Sequence, residues 1–147
     1  MCERAFPVSV HIVTLLASRG ELVTSEEIAS EVRANAVVVR RLVGLLQKAG
    51  IVKSKLGPGG GVRLASAPEQ ISLACVLNAV EDQQLLAPLP HPNPDCALAA
   101  AVESTLETAT AVAQDALCQS LRGMTIADVL ERMDFQPCSP EHLQSSA

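Results

Sequence analysis

Residues 24–64 read TSEEIASEVRANAVVVRRLVGLLQKAGIVKSKLGPGGGVRL, and three signals in that run leave the backbone little choice. Thr24-Ser25-Glu26-Glu27 has the form of a capping box. The Thr hydroxyl accepts from the Glu27 amide while Glu27 reaches back to the Thr24 amide, which predicts a short helix over 25–32. Asn35 is the next residue suited to an N-cap and Gly50 the next suited to a stop. A helix over 36–49 follows, with Val39, Leu42, Val43, Leu46 and Ala49 on its buried stripe. Residues 51–56 and 62–64 then read as strands joined by GPGGG, whose glycines supply positive φ and whose Pro58 fixes one φ.

Helix, short turn, helix, hairpin is the order of a winged helix-turn-helix unit. A first helix over 9–18, stopped by Gly20, carries Val10, Val13, Leu16 and Ala17 at helical spacing. Pro68 ends the unit. A short helix over 72–80 leads to a polar loop over 81–95 that holds four of the nine prolines. The longest helix spans 96–121, a last one spans 125–133 with Thr125 as N-cap, and 134–147 is expected to be a flexible tail. On the long helix Leu98, Val102, Thr105, Ala109, Val112 and Ala116 keep the rhythm of a coiled-coil seam. Leu106, Ala113, Leu117 and Leu121 form a second stripe, so one face is expected against the chain's own body and the other against a partner subunit.

The fold class is therefore mainly α: a winged helix-turn-helix with a two-stranded wing, plus a long C-terminal dimerisation helix. A chain of 147 residues buries roughly 68–70% of its unfolded surface and needs no staple. Aromatics are 1% of the chain, two Phe with no Trp or Tyr, so the core must be aliphatic. The same scarcity argues against a single-strand binder that stacks bases on aromatic platforms.

Net charge is -5, yet residues 1–66 hold nine Lys/Arg against five Asp/Glu, and residues 67–147 hold two against eleven. Arg33, Arg40, Arg41, Lys48, Lys53, Lys55 and Arg63 fall between Val32 and Pro68 with no acidic residue among them. A cationic face on one helix and one hairpin suits double-stranded DNA. Arg40 and Arg41 are expected in the major groove, Arg40 as the base reader, because Arg pairs bidentately with guanine. Asn35, Ala36 and Val37 open that helix, where amides suit a phosphate and small apolar side chains suit a thymine methyl. Lys48, and Lys53, Lys55, Gly59, Gly60 and Arg63 of the wing, are expected along the backbone. Ser25 is either a phosphate contact or a plain helix start. GPGGG is not a nucleotide-phosphate loop, since no GK[ST] follows and a strand, not a helix, comes next.

Five cysteines at wide spacing, Cys2, Cys75, Cys96, Cys118 and Cys138, do not form a disulfide framework. Cys75 and Cys118 are expected as buried structural thiols on apolar helix faces. Cys96 opens the long helix, where the positive helix end favours a reactive thiolate and Asp95 opposes it, so it is the candidate redox sensor. His11, His91 and His142 have no ligand spacing, and no nucleophile, base and orienter assemble, so no enzyme is expected. The first residues carry no secretory signal and no apolar run reaches ~20 residues, which points to a cytoplasmic protein with no membrane contact.

The segment NAVVVRRLVGLLQKAGIVKSKLGPGGGVRL resembles the third helix and wing of the Rrf2 family of bacterial winged-helix regulators. HPNPDCALAAAVE resembles the YwnA-like, cluster-free branch of that family, and the resemblance extends over residues 8–133. It implies homodimers, paired through the long helix 96–121, that repress or activate promoters. Two departures stand out. Cluster-binding members carry three closely spaced cysteines before the long helix, whereas here only Cys96 matches, the third of them; no metal and no cofactor is expected. Members that read a minor groove place Arg directly before GPGGG, where this chain has Leu56 preceded by Lys55.

The expectation is a DNA-binding transcriptional regulator, a repressor acting on a pseudo-palindromic promoter site as a homodimer. Its regions are a DNA-binding unit over 1–68, a helical dimerisation and sensor region over 69–133, and the tail. The alternatives are a winged-helix protein-interaction module without DNA binding, or a thiol-redox sensor acting through Cys96.

Overall fold

The computed structural model describes residues 5–81 and 95–133. Their order is α1 (Ala5–Arg19), α2 (Ser25–Val32), α3 (Ala36–Lys48), β1 (Val52–Lys55), β2 (Gly61–Leu64), α4 (Leu73–Val80), α5 (Ala97–Arg122) and α6 (Ile126–Arg132). A 3-10 turn over Pro68–Gln70 links β2 to α4. Most of the loop expected over 81–95, the tail, and Cys2, Cys138, His91 and His142 lie outside the described residues.

The capping signals act as expected. Thr24 Oγ1 accepts from the Glu27 amide at 3.3 Å, and a Glu27 oxygen accepts from the Thr24 amide at 2.8 Å. Asn35 Oδ1 accepts from the Val37 amide at 2.8 Å. Thr125 and Asp128 form a second capping box at α6. α1 starts earlier than its apolar spacing predicts, at Ala5 rather than Ser9. Pro7 falls in its first turn, where a missing amide costs no hydrogen bond, and Glu81 accepts from the Phe6 amide at 3.3 Å. α3 stops at Lys48, and Ala49, expected on the buried stripe, is the exposed C-cap residue.

Ile12, Val13 and Leu16 of α1 pack with Ile28 of α2 and with Val39, Leu42 and Leu46 of α3 in one aliphatic core. Val52 and Val62 bring the hairpin into the same core. Val23 exchanges two backbone hydrogen bonds with Val62, at 2.9 and 2.8 Å, and so adds a third short partner to the wing. The approach is close: a Cβ on Gly61 would stand 2.8 Å from the Val23 carbonyl oxygen. Ile71, Val76, Val80 and Ile126 extend the core through α4 and α6, which both pack on α1.

α5 is different. It runs for 26 residues, ~39 Å, and buries none of its side chains. It leans on α4 through a polar edge, where the Cys118 thiol points at Asn78 Oδ1 at 4.0 Å. One of the two stripes was expected against the chain's own body, yet neither is buried: Leu98 and Val112 of the first and Leu106 and Leu117 of the second are exposed, and Leu121 is half-buried. Both cysteine expectations fail for the same reason. α4 commits Ala74, Val76, Leu77 and Val80 to the core, which turns Cys75 outward to solvent and leaves Cys118 half-buried against the outer edge.

Candidate nucleic-acid interface

Arg40, Gly44 and Gln47 lie three and four residues apart along one line of α3, and Val37 continues that line to the helix start, 69% exposed. The three face the hairpin across a groove of about 530 Å³, with Ser25 and Glu26 on one wall and Ser54, Lys55, Leu56 and Gly60 on the other. The Ser54 hydroxyl donates to Gln47 Oε1 at 2.8 Å, which ties the wing to the helix. Helix and hairpin therefore present one continuous edge.

Gly57-Pro58-Gly59-Gly60 closes on a Gly60 amide to Gly57 carbonyl bond of 2.9 Å, with φ +71° at Gly59. This is the type II geometry, Pro second and Gly third. A Cβ at Gly60 would fall on the Lys55 carbonyl oxygen, so the tip tolerates only glycine there. In the ladder Lys53 stands opposite Arg63 and Lys55 opposite Gly61. Lys53, Lys55 and Arg63 thus share the outer face, while Val52 and Val62 turn to the core. Like charges directly opposed weaken a ladder, so nothing in the stability of the wing calls for Lys53 beside Arg63. The two line a second groove with Glu21, and Lys55 alone of the three reaches both grooves.

The remaining residues separate. Arg41 points outside the α3–wing groove and makes no ion pair among the described residues. Lys48 occupies the last turn of α3, roughly 18 Å along the axis from Ala36, where a cation also suits the helix dipole. Ser25 is half-buried at the start of α2, in a first turn that also holds Glu26 and Glu27, so two carboxylates oppose a phosphate there. Ala36 is half-buried, and the Val37 amide is already taken by Asn35. Cys96 sits at the N-cap of α5, half-buried, with no side-chain cap bond.

One residue escaped the sequence reading. Glu26 Oε1 accepts from Arg40 Nη2 at 2.8 Å, and that bond is the main reason its carboxyl is held below the ordinary range. Glu26 is separated from Arg40 by fourteen positions, so only the crossing of α2 over α3 brings them together.

The sequence profile of the Rrf2 family, described as iron-dependent transcriptional regulators, matches residues 2–132. The chain belongs to the Rrf2 family. It is a DNA-binding transcriptional regulator with the winged-helix fold of that family. YwnA of Bacillus subtilis (strain 168), assigned as an HTH-type transcriptional regulator, is 35% identical over 134 residues, 90% of this chain and 99% of YwnA. A crystal structure of a protein assigned as DNA-binding superposes with a TM-score of 0.71 at 32% identity, covering 86% of this chain and 99% of the other. CymR, the global cysteine regulator of B. subtilis, shares the fold at a TM-score of 0.66 and 22% identity over 91% of this chain and 98% of its own.

Iron in the Rrf2 description raises the question of a cluster site. An iron–sulphur cluster needs several converging thiolates or imidazoles. Residues 82–95 contain no cysteine, and no group of three or more His, Cys, Asp or Glu suited to a metal occurs among the described residues. The donors among the described residues do not assemble a cluster site. No helix among the described residues is long and apolar enough to cross a membrane.

Proposed function

We propose that this Rrf2 regulator is a cytoplasmic repressor that binds a partly palindromic promoter site as a homodimer. The observation that carries the reading is the shared edge of α3 and wing, with Val37, Arg40 and Gln47 on the helix and Lys55 at the hairpin tip. α3 enters the major groove with Arg40 on a guanine and Val37 against a thymine methyl. Lys55 holds the flanking phosphates, with Lys53 and Arg63 supplying positive potential beside it, and Arg41 takes a phosphate on the other flank of the helix. Residues 1–68 make the DNA-binding unit and 69–133 the pairing region, with α5 lying against α5 of a second copy. Support for pairing comes from α5 itself, which leaves Leu98 74% and Val112 67% exposed. Two-fold symmetry then sets the half-sites one helical turn apart or a multiple of it. Occupying a promoter is enough to repress it, and no enzymatic step is invoked.

Titration of a selected duplex at several salt concentrations tests the reading. Arg40→Ala is expected to cost roughly 1–3 kcal/mol and relax preference at one base per half-site. Lys55→Ala is expected to weaken all duplexes alike and flatten the salt slope by ~1. A protein-docking module would show no steep salt-dependent binding to DNA at all.

A further inference from the structure

The Glu26–Arg40 pair stands on the edge offered to DNA, both side chains lining the groove between α3 and the wing. It does little for the fold. The Arg40 side chain is 56% exposed and that of Glu26 70%, and a pair so wet contributes almost nothing to stability. It also works against the surface it belongs to, since a carboxylate there repels phosphate and cancels the charge of the residue placed to read bases. We infer that Glu26 is a specificity-determining residue, which withholds Arg40 from phosphates and yields it only to a base edge that offers two acceptors. This rests on Arg40 being a base reader, as proposed above.

The magnitudes allow such a gate. An exposed ion pair is weak enough for a bidentate guanine contact to outbid it. A single phosphate contact is a poorer competitor, because the phosphate must approach Glu26 to reach Arg40. On unrelated sequence Arg40 therefore stays with Glu26 and adds little to non-specific grip. On the correct site it swings to the base, and the penalty falls on the wrong sequences alone. Arg41 has no such partner among the described residues and is left for the backbone.

The test compares two duplexes, one selected from random sequence by the wild-type protein and the same duplex with its base order scrambled. Glu26→Gln keeps the side-chain shape and removes the charge. It is expected to tighten binding to the scrambled duplex by about two- to fivefold, with a smaller change on the selected one, so the affinity ratio falls. In an Arg40→Ala background the same change is expected to leave the ratio where Arg40→Ala puts it. An unchanged ratio for Glu26→Gln, or an equal fall without Arg40, overturns the inference. If the wild type discriminates between the duplexes and Lys55→Ala weakens both, such a failure touches Glu26 alone. If the wild type binds neither duplex, the DNA reading and this inference fall together.

Discussion

Arg33 holds the turn between α2 and α3 in the left-handed region, at φ 54°, where a β-carbon crowds the following carbonyl. The turn needs that conformation: the Ala34 amide reaches back to the Ala29 carbonyl at 3.1 Å and closes the end of α2. Glycine is the ordinary occupant of such a place. Arg33→Gly is therefore expected to raise stability by ~0.5–1 kcal/mol in chemical denaturation, the relief of strain exceeding the added chain entropy. An unchanged or lower midpoint would mean that the Arg33 side chain makes up for its backbone. Single residues were also where the sequence was least legible. Arg33 reads as one more cation in a basic run, and Glu26 as one more acid in a helix start. Their roles come from a backbone angle and a helix crossing, neither of which is written in local spacing.

At the scale of elements most of the architecture was legible, because the starts of α2, α3, α4 and α6 carry capping side chains, whereas the start of α5 does not. Thr24, Asn35, Ser72 and Thr125 all cap the helices they precede, and GPGGG makes the turn its residues require. The caps carry a pH signature. Glu27 is held below the ordinary carboxylate range chiefly by the Thr24 amide, and Asp128 chiefly by the Thr125 amide. A carboxyl depressed in the folded state stabilises it fully above the unfolded pKa, and that contribution disappears as pH falls through the folded one. Melting temperature is thus expected to decline from about pH 4 downward. Glu27→Gln and Asp128→Asn should each lower it at neutral pH and shrink the acid decline; a decline of unchanged size would place its origin elsewhere. What spacing could not settle was α5. Its two apolar stripes suggest an inner and an outer face, yet its polar contact with α4 is made by Cys118, on the side of the helix opposite the first stripe and past the edge of the second. Periodicity marks which residues lie on one side of a helix and is silent on which side meets the chain's own core.

For the whole molecule the proposed pairing places its burden on α5, which buries none of its side chains in the single chain. Its apolar residues lie outside the core that α1 organises, so changing one should spare the fold and affect only assembly. Val112→Glu is expected to sediment as a monomer with its helical signal intact, and to lose DNA affinity by about 100-fold or more as the two half-sites uncouple. A dimer that survives the substitution would move the pairing surface off this stretch of α5. The charge division suits the proposed binding face, with the basic excess before residue 67 and the acidic excess after it. Whether α3 reads bases in two symmetric copies is tested most directly by parallel selection of random duplexes by the wild type and by Arg40→Ala. The wild type is expected to select two inverted half-sites about a helical turn apart, or a multiple of it, with one position in each half-site losing its preference in the variant. No enrichment by the wild type, or an identical motif from both proteins, would contradict it.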